Sequence, residues 1–258
     1  MRTEEIIMRL FCMVDDKLAH VKKRTNAHWS PGEIVTIGIR FALKGVQDRA
    51  FYGWLTGDWL PLFPHLPECS RLLRLVQTSE YLTDQFLVAP QAERVIDSYG
   101  MELIHPIGQG RSEAQVGKKG QSHHRWIVGV KLGWLITPHG QIMEWGWATA
   151  NPHDQPFRGI GQRWTNRSEV LSDWGFRKRG EETVNWRFGQ RGERHDPMIV
   201  ERVFSVVTVV NHLKKIFHRV DKYLTARFGY TAAMFHWLME LAEGKLALAQ
   251  FSLSSFSN

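Results

Sequence analysis

The sequence predicts an α/β protein in which a mixed sheet is flanked by helices and preceded by a mostly helical region. Three observations lead to this fold class. Apolar residues recur at helical spacing through the first ninety residues, alternate with a period of two from Gln91 onward, and return to helical spacing near the carboxyl terminus. We therefore expect a helical amino-terminal region over 1–90 and a sheet-containing domain over 91–250.

The composition is that of a folded protein with a basic surface. The 258 residues are 43% hydrophobic and 23% charged, which is ordinary for a globular chain, and the net charge is +7. Basic residues cluster in four segments: His20–Arg24, Lys118–Arg125, Arg177–Arg179 and Lys214–Arg219. Such segments favour a polyanionic partner, most often nucleic acid, although a need for solubility alone also explains them.

The two cysteines and the amino terminus indicate a cytoplasmic protein. Cys12 and Cys69 lie far apart and outside any Cys-x-x-Cys pattern, so a disulfide framework or thiolate zinc site is not expected. The start of the chain is charged too early for a secretory signal, and no apolar run approaches the roughly 20 residues that span a bilayer. We expect no membrane partner.

The helical front half divides into four predicted segments. Ser30, Pro31 and Glu33 form an N-terminal helix signal, because Ser caps, Pro suits the first turn and Glu completes a capping box. The segments are a helix over Thr3–His20, a helix from Ser30 to about Gly45, a short helix and turn over Asp48–Pro67, and a helix over Cys69–Phe86.

The second half alternates predicted strands and helices. Strands are expected at Gln91–Pro106, Arg125–Ile136, Gln141–Thr149, Glu169–Phe176 and Thr183–Phe188, the second and third forming a hairpin. Helices are expected at Asn151–Trp164, Pro197–Lys215 and Asp221–Ala249. The Gly- and Lys-rich segment Ile107–His124 is expected to be a mobile link.

Three acids stand in apolar surroundings. Asp97 interrupts a predicted buried strand, Asp173 ends an apolar strand, and Glu201 is the lone acid on an otherwise apolar helix. An ionised side chain in such a place loses solvation unless a partner charge or a metal compensates it. Singly, each has an ordinary explanation: Asp97 pairs with Arg94, Asp173 caps a turn, and Glu201 pairs with Arg202 or Lys215. Asp154 follows a predicted strand, which leaves two interpretations: it approaches the other acids, or, as we expect, it caps a helix.

Together, the three acids fit a site for Mg²⁺ or Mn²⁺. These cations prefer a few carboxylates supplemented by phosphate oxygens. Two ions roughly 3.5–4 Å apart activate the attacking oxygen and stabilise the leaving oxygen in phosphodiester chemistry. Basic segments nearby would hold the phosphate backbone.

The contexts of these acids resemble a known family. The segments VIDS (95–98), VLSDWGF (170–176) and VERVFSVV (200–207) are similar to the catalytic domain of bacterial insertion-sequence transposases of the DDE type, which has an RNase H-like (retroviral-integrase-like) fold. The resemblance covers about Glu93 to Leu241. Further similar blocks are EIVTIGIRFAL (33–43), ANPHDQ (150–155) and HLKKIFHRVDKYLTARFGYT (212–231).

The resemblance implies a role for each acid and a reaction. Asp97 would be the first acid, on the first strand, Asp173 the second, after the fourth strand, and Glu201 the third, on a helix. Together they would hold two Mg²⁺ or Mn²⁺ ions for cleavage at the ends of the element and for strand transfer. The implied partner is double-stranded DNA, comprising terminal inverted repeats and target DNA. It would be bound by a dimer, with the helical region 1–90 contributing to recognition of the repeat.

One departure from the family pattern concerns the surroundings of the third acid. Some members place Tyr and Arg before the Glu and Lys after it, whereas Pro197, Arg194 and Val207 occupy these positions here, so only Arg194 partly matches. The residues expected to contact phosphates are Arg194, His212, Lys215 and Arg219. The alternatives are a metal-dependent nuclease of the same fold and a DNA-binding derivative without catalysis.

Overall fold

The computed structural model describes residues 2–23, 25, 27–122, 125–152, 154–163, 169–177, 185–188, 203–206, 208, 213, 216 and 220–241. The helices are α1 (Thr3–Lys17), α2 (Pro31–Lys44), α3 (Asp48–Asp58), α4 (Cys69–Thr78), α5 (Arg158–Gln162) and α6 (Asp221–Leu241). The strands are β1 (Glu93–Ile104), β2 (Lys118–Ser122), β3 (Arg125–Ile136), β4 (Ile142–Thr149), β5 (Glu169–Ser172) and β6 (Trp186–Phe188).

The chain divides into two compact units. One contains the described residues of Met1–Phe86 together with Lys222–Leu241, and the other contains those of Leu87–Asp221. The structure thus groups almost all of α6 with the front half, whereas the sequence analysis assigned it to the sheet-containing domain. In the described residues, no helix combines the length and apolar character needed to cross a membrane. Cys12 and Cys69 are free thiols.

Helix α2 lies at the centre of the first unit. The predicted start signal is confirmed: the Ser30 hydroxyl accepts the Glu33 N–H, and the Glu33 carboxylate accepts the Ser30 N–H at 2.7 Å. Gly45 ends the helix with a left-handed φ of 65°, which glycine adopts without a steric penalty. Nearly every residue of α2 is buried, so hydrophobic packing on all sides stabilises it.

Helix α6 packs its buried side chains into the same unit. The Arg227 guanidinium donates hydrogen bonds to the carbonyl oxygens of Phe41 (2.8 Å) and Ala42 (3.3 Å) in the last turn of α2. A cation there satisfies carbonyl groups that the helix leaves unpaired. Burial lowers the pKa of Arg227 to about 10. The Tyr230 hydroxyl donates to the carbonyl oxygen of Val76 at 2.9 Å.

In its described residues, the second unit contains a six-stranded mixed sheet. The strand order is β2-β3-β1-β5-β6, and β4 also pairs with β3. Strand β1 is antiparallel to β3 and parallel to β5, and β6 is parallel to β5. The predicted β3–β4 hairpin is confirmed. The α/β class with a mixed sheet flanked by helices is therefore confirmed.

Each face of the sheet has its own apolar cover. On one face, Ile96 of β1 and Val170 of β5 pack with Phe157 and with Ile160 of α5. On the other face, Phe204 from the helical segment 203–206 stacks on Trp134 of β3 with ring centroids 5.2 Å apart. The central strand β1 thus carries apolar contacts on both sides.

The expected link over Ile107–His124 contains a strand that the sequence analysis missed. Residues 118–122 form β2, which pairs antiparallel with the start of β3. Gly and Lys have low strand propensity, but pairing with a neighbouring strand outweighs local preference. Gly120 also fits there because a Cβ atom would overlap the backbone of Ala150. The first part of the segment holds a short 3-10 turn at Pro106–Gly108.

Gly38 provides a test of the packing between α2 and α6. A Cβ atom at Gly38 would overlap the buried ring of Tyr230, so we expect Gly38→Ala to lower the free energy of unfolding by about 1–3 kcal/mol. The matched control is Gly53→Ala in the exposed surface of α3, where a Cβ meets no atom within 4 Å. That control should raise the free energy of unfolding by roughly 0.5–1 kcal/mol through helix propensity.

Urea denaturation followed by circular dichroism measures both variants. Equal free energies of unfolding for Gly38→Ala and Gly53→Ala would contradict the close approach of the two helices.

Candidate active site

The register of β1 and β5 brings Asp97 and Asp173 to neighbouring positions. Val95 pairs with Leu171 in the parallel ladder, and Asp97 and Asp173 each follow two residues later. Asp173 comes directly after the end of β5 and keeps an extended backbone with φ −77° and ψ 174°. Adjacent strands lie about 4.8 Å apart, and residues separated by two share a face. The backbone therefore directs both acids to the same side of the sheet.

Asp97 is half-buried at the centre of the sheet. It pairs with Trp134 of β3, and its Oδ1 accepts the Ser98 backbone N–H at 2.7 Å. The Phe204 ring, which covers Trp134, also stacks on Tyr99 with centroids 5.6 Å apart. Arg94, the partner considered from sequence, lies three residues earlier and so on the opposite face of β1. It donates to the carbonyl oxygen of Gln91 at 2.9 Å.

Asp173 ends its strand as the sequence predicted and also caps a turn. Its Oδ1 accepts the Gly175 N–H at 2.9 Å at the start of the 3-10 turn Trp174–Phe176. Although Asp173 keeps one side exposed to solvent, partial burial and then the charge of Asp154 raise the pKa of its carboxyl. The Gly175 N–H and the Lys131 ammonium act in the opposite direction.

Asp154 joins the site, which corrects the helix-cap role expected for it. It occupies the N-cap position of the 3-10 turn Gln155–Phe157, but its side chain makes no capping hydrogen bond. Its Oδ1 instead accepts hydrogen bonds from the Ser98 hydroxyl and from the Lys131 ammonium, the latter at 3.0 Å. The Lys131–Asp154 ion pair is largely buried, with side-chain exposures of 11% and 16%.

Gly175 shows how close the carboxylates of Asp154 and Asp173 lie. A Cβ atom on Gly175 would be 2.9 Å from Asp154 Oδ2 and 3.1 Å from Asp173 Oδ1. Both carboxylates therefore border the same small space, which only a residue without a side chain leaves open. Ser98 and Lys131 hold Asp154 from β1 and β3, so three strands and two turns contribute to one group of charges.

Lys131 carried a signal that sequence reasoning did not use. It lies in the middle of the apolar strand RWIVGVKLGWLI (125–136), where an unpaired ammonium is as costly as an unpaired carboxylate. The same argument that selected Asp97 applies to Lys131. Its partner, Asp154, lies 23 residues away along the chain, so only the fold reveals the pair.

The remaining predicted site residues lie outside the described residues. These are Glu201, Arg194, His212, Lys215 and Arg219. Within the described part of the chain, no three His, Cys, Asp or Glu residues form a group that could hold a metal ion. The register therefore brings Asp97 and Asp173 to neighbouring backbone positions. Asp154 and Lys131 adjoin Asp173, whereas Ser98 and Lys131, which hold Asp154, lie on the opposite face of the sheet from Asp97.

Comparison of the chain with protein-family models, with curated proteins and with solved structures found no match.

The charges of Asp154, Asp173 and Lys131 predict how the pKa of Asp173 responds to a substitution of Asp154. Replacing Asp154 with Asn removes a neighbouring negative charge and leaves the Lys131 ammonium nearby, so the pKa of Asp173 should fall. The control is Glu169→Gln at the start of β5, about 13 Å away at 3.3 Å per residue, where screening leaves little effect. Carboxyl-carbon NMR titration measures the pKa. An unchanged Asp173 titration in Asp154→Asn would show that the two carboxylates do not interact.

Proposed function

We propose that the chain is a DDE-type DNA transposase of an insertion sequence. It would cleave phosphodiester bonds at the ends of the element and join them to target DNA in a metal-dependent reaction. The observation that carries the proposal is the parallel register of β1 and β5. Continued by two residues, this register gives Asp97 and Asp173 neighbouring backbone positions, in sequence contexts that resemble the first two acids of this family.

The arrangement of the sheet supports an RNase H-like catalytic domain. That resemblance places the first acid on the first strand and the second acid after the fourth. Asp97 lies on β1, and β5 is the fourth strand when the short β2 is left out of the count. The mixed pairing of β1, antiparallel to β3 and parallel to β5, agrees with the expected mixed sheet.

The residues present fit a divalent cation. Asp97 and Asp173 offer hard oxygen donors. Burial and then the charge of Asp154 raise the pKa of the Asp173 carboxyl, and a nearby cation would lower this pKa again. We propose that Asp97, Asp173 and Glu201 hold two Mg²⁺ or Mn²⁺ ions. When bound, such ions activate an attacking oxygen and stabilise a leaving oxygen in phosphodiester chemistry.

The chain's own residues would order and balance this site. Lys131 offsets the charge of Asp154 in an ion pair, so we assign the cation-binding role to Asp97 and Asp173 rather than to Asp154. The Ser98 hydroxyl ties Asp154 to the strand of Asp97, and the Gly175 N–H fixes one oxygen of Asp173. Preorganised carboxylates of this kind avoid reorganisation when substrate binds.

The basic character of the chain supports a DNA partner. The net charge is +7, and Arg194, His212, Lys215 and Arg219 are the proposed phosphate contacts. The helical region 1–90 would contribute to recognition of the terminal inverted repeats. A dimer on DNA would supply one active site for each end of the element.

The decisive substitutions are Asp97→Asn and Asp173→Asn. Loss of a cation ligand removes several kcal/mol of transition-state stabilisation, so we expect cleavage to fall by roughly a thousandfold in either variant. The matched controls, Glu93→Gln and Glu169→Gln, remove exposed acids at the starts of the same two strands. They should cleave at the wild-type rate.

The assay uses supercoiled plasmid DNA that carries the gene with its genomic flanks, incubated with Mg²⁺. Joined products would support transposition, and fragments alone would support the nuclease. DNA binding without any cleavage would support the inactive derivative. Undiminished cleavage by Asp97→Asn, with circular dichroism showing an intact fold, would refute the proposed site.

A further inference from the structure

The hairpin formed by β2 and the first residues of β3 has one packed face and one exposed face. Gly120, Ser122 and Ile127 are buried on the packed face. Lys119, Gln121 and Trp126 are exposed on the opposite face. Lys118 and Arg125, at the two ends of the β2–β3 pairing, alternate to the side of Gly120 and Ser122 but are also exposed. We call these five the hairpin surface. Because β1 pairs with β3 only from Val128 onward, the first residues of β3 extend past the end of β1.

Trp126 is the most unusual member of the hairpin surface. It is 61% exposed, although a large aromatic side chain gains about 1.5–3 kcal/mol from full burial. It pairs with Gln121 across the hairpin, and Lys119, diagonally opposite, holds its ammonium 5.3 Å from the centroid of the Trp126 ring. A cation above an exposed aromatic ring forms a combined charged and apolar contact surface.

The charged residues of the hairpin surface are all basic. The sequence contains no Asp or Glu between Glu113 and Glu144, while Lys118, Lys119, Arg125 and Lys131 fall within this interval. Lys131 is already paired with Asp154. The other three bases lie on the exposed hairpin, so a polyanion is the complementary partner.

We infer that the hairpin surface binds duplex DNA, with Lys118, Lys119 and Arg125 on phosphates and Trp126 against the sugar or base edges. We choose DNA as the polyanion because of the proposed transposase function. A two-stranded β-ribbon fits the major groove, and Lys and Arg side chains supply most contacts to the backbone. These contacts are separate from the proposed phosphate contacts of the catalytic domain at 194–219.

The test measures binding of labelled duplex DNA by fluorescence anisotropy over a range of salt concentrations, in EDTA so that cleavage plays no part. The slope of log K against log salt is negative, and each lost phosphate contact reduces its magnitude by about 0.9. Lys119→Gln should therefore reduce the magnitude of the slope by about one. Replacing Lys118, Lys119 and Arg125 with Gln together should reduce it by nearly three. Trp126→Ala should weaken binding without changing the slope.

Lys222→Gln is the matched control, because Lys222 is also an exposed lysine whose ammonium lies 5.3 Å from an aromatic ring, that of Tyr223. It should leave both affinity and slope unchanged. Wild-type binding that the hairpin variants do not alter would overturn the hairpin assignment and leave the transposase proposal standing. If the wild-type protein bound no duplex, both the hairpin assignment and the transposase proposal would be refuted. Equal competition by single-stranded RNA would overturn the assignment to duplex DNA.

Discussion

The parallel pairing of β1 with β5 is the constraint on which the candidate site depends. Side chains alternate along a strand, so a slip of one residue in this register would send Asp97 and Asp173 to opposite faces. The register is secured by burial: Ile96 and Val170 pack into the same apolar cluster with Phe157. The apolar core on one face of the sheet therefore fixes where the two acids stand on the other.

The second determinant is the compensation of charge within the sheet. Buried charges cost much free energy unless they are paired and hydrogen-bonded. Asp154 meets this requirement through Ser98 and Lys131, whereas Asp173 remains at the open end of β5 with its pKa raised. Asp154 is thus paired with a cation of the protein itself, and Asp173 is the acid that we propose binds an external cation. This distinction gives the proposed metal site its physical basis.

Structural features that depend on neighbouring residues could be predicted from the sequence, whereas those that depend on distant residues could not. The Ser30 capping signal and the position of Asp173 at a strand end were predicted correctly, because neighbouring residues determine them. Strand β2 was missed because its Gly- and Lys-rich residues form a strand only through pairing with β3. Asp154 was assigned a local capping role, but its partners Ser98 and Lys131 come from two distant strands. The environment of Glu201 lies outside the described residues.

The central proposal is that Asp97, Asp173 and Glu201 surround a shared site for two divalent cations. Iron-mediated cleavage of the backbone tests it most directly, because Fe²⁺ bound in place of Mg²⁺ reduces added hydrogen peroxide to hydroxyl radicals that cut the chain beside the ligands. Mass spectrometry should find cuts close to all three acids, suppressed by excess Mg²⁺ and absent in Asp97→Asn. Cuts confined to one acid, or located away from β1 and the end of β5, would contradict the shared site.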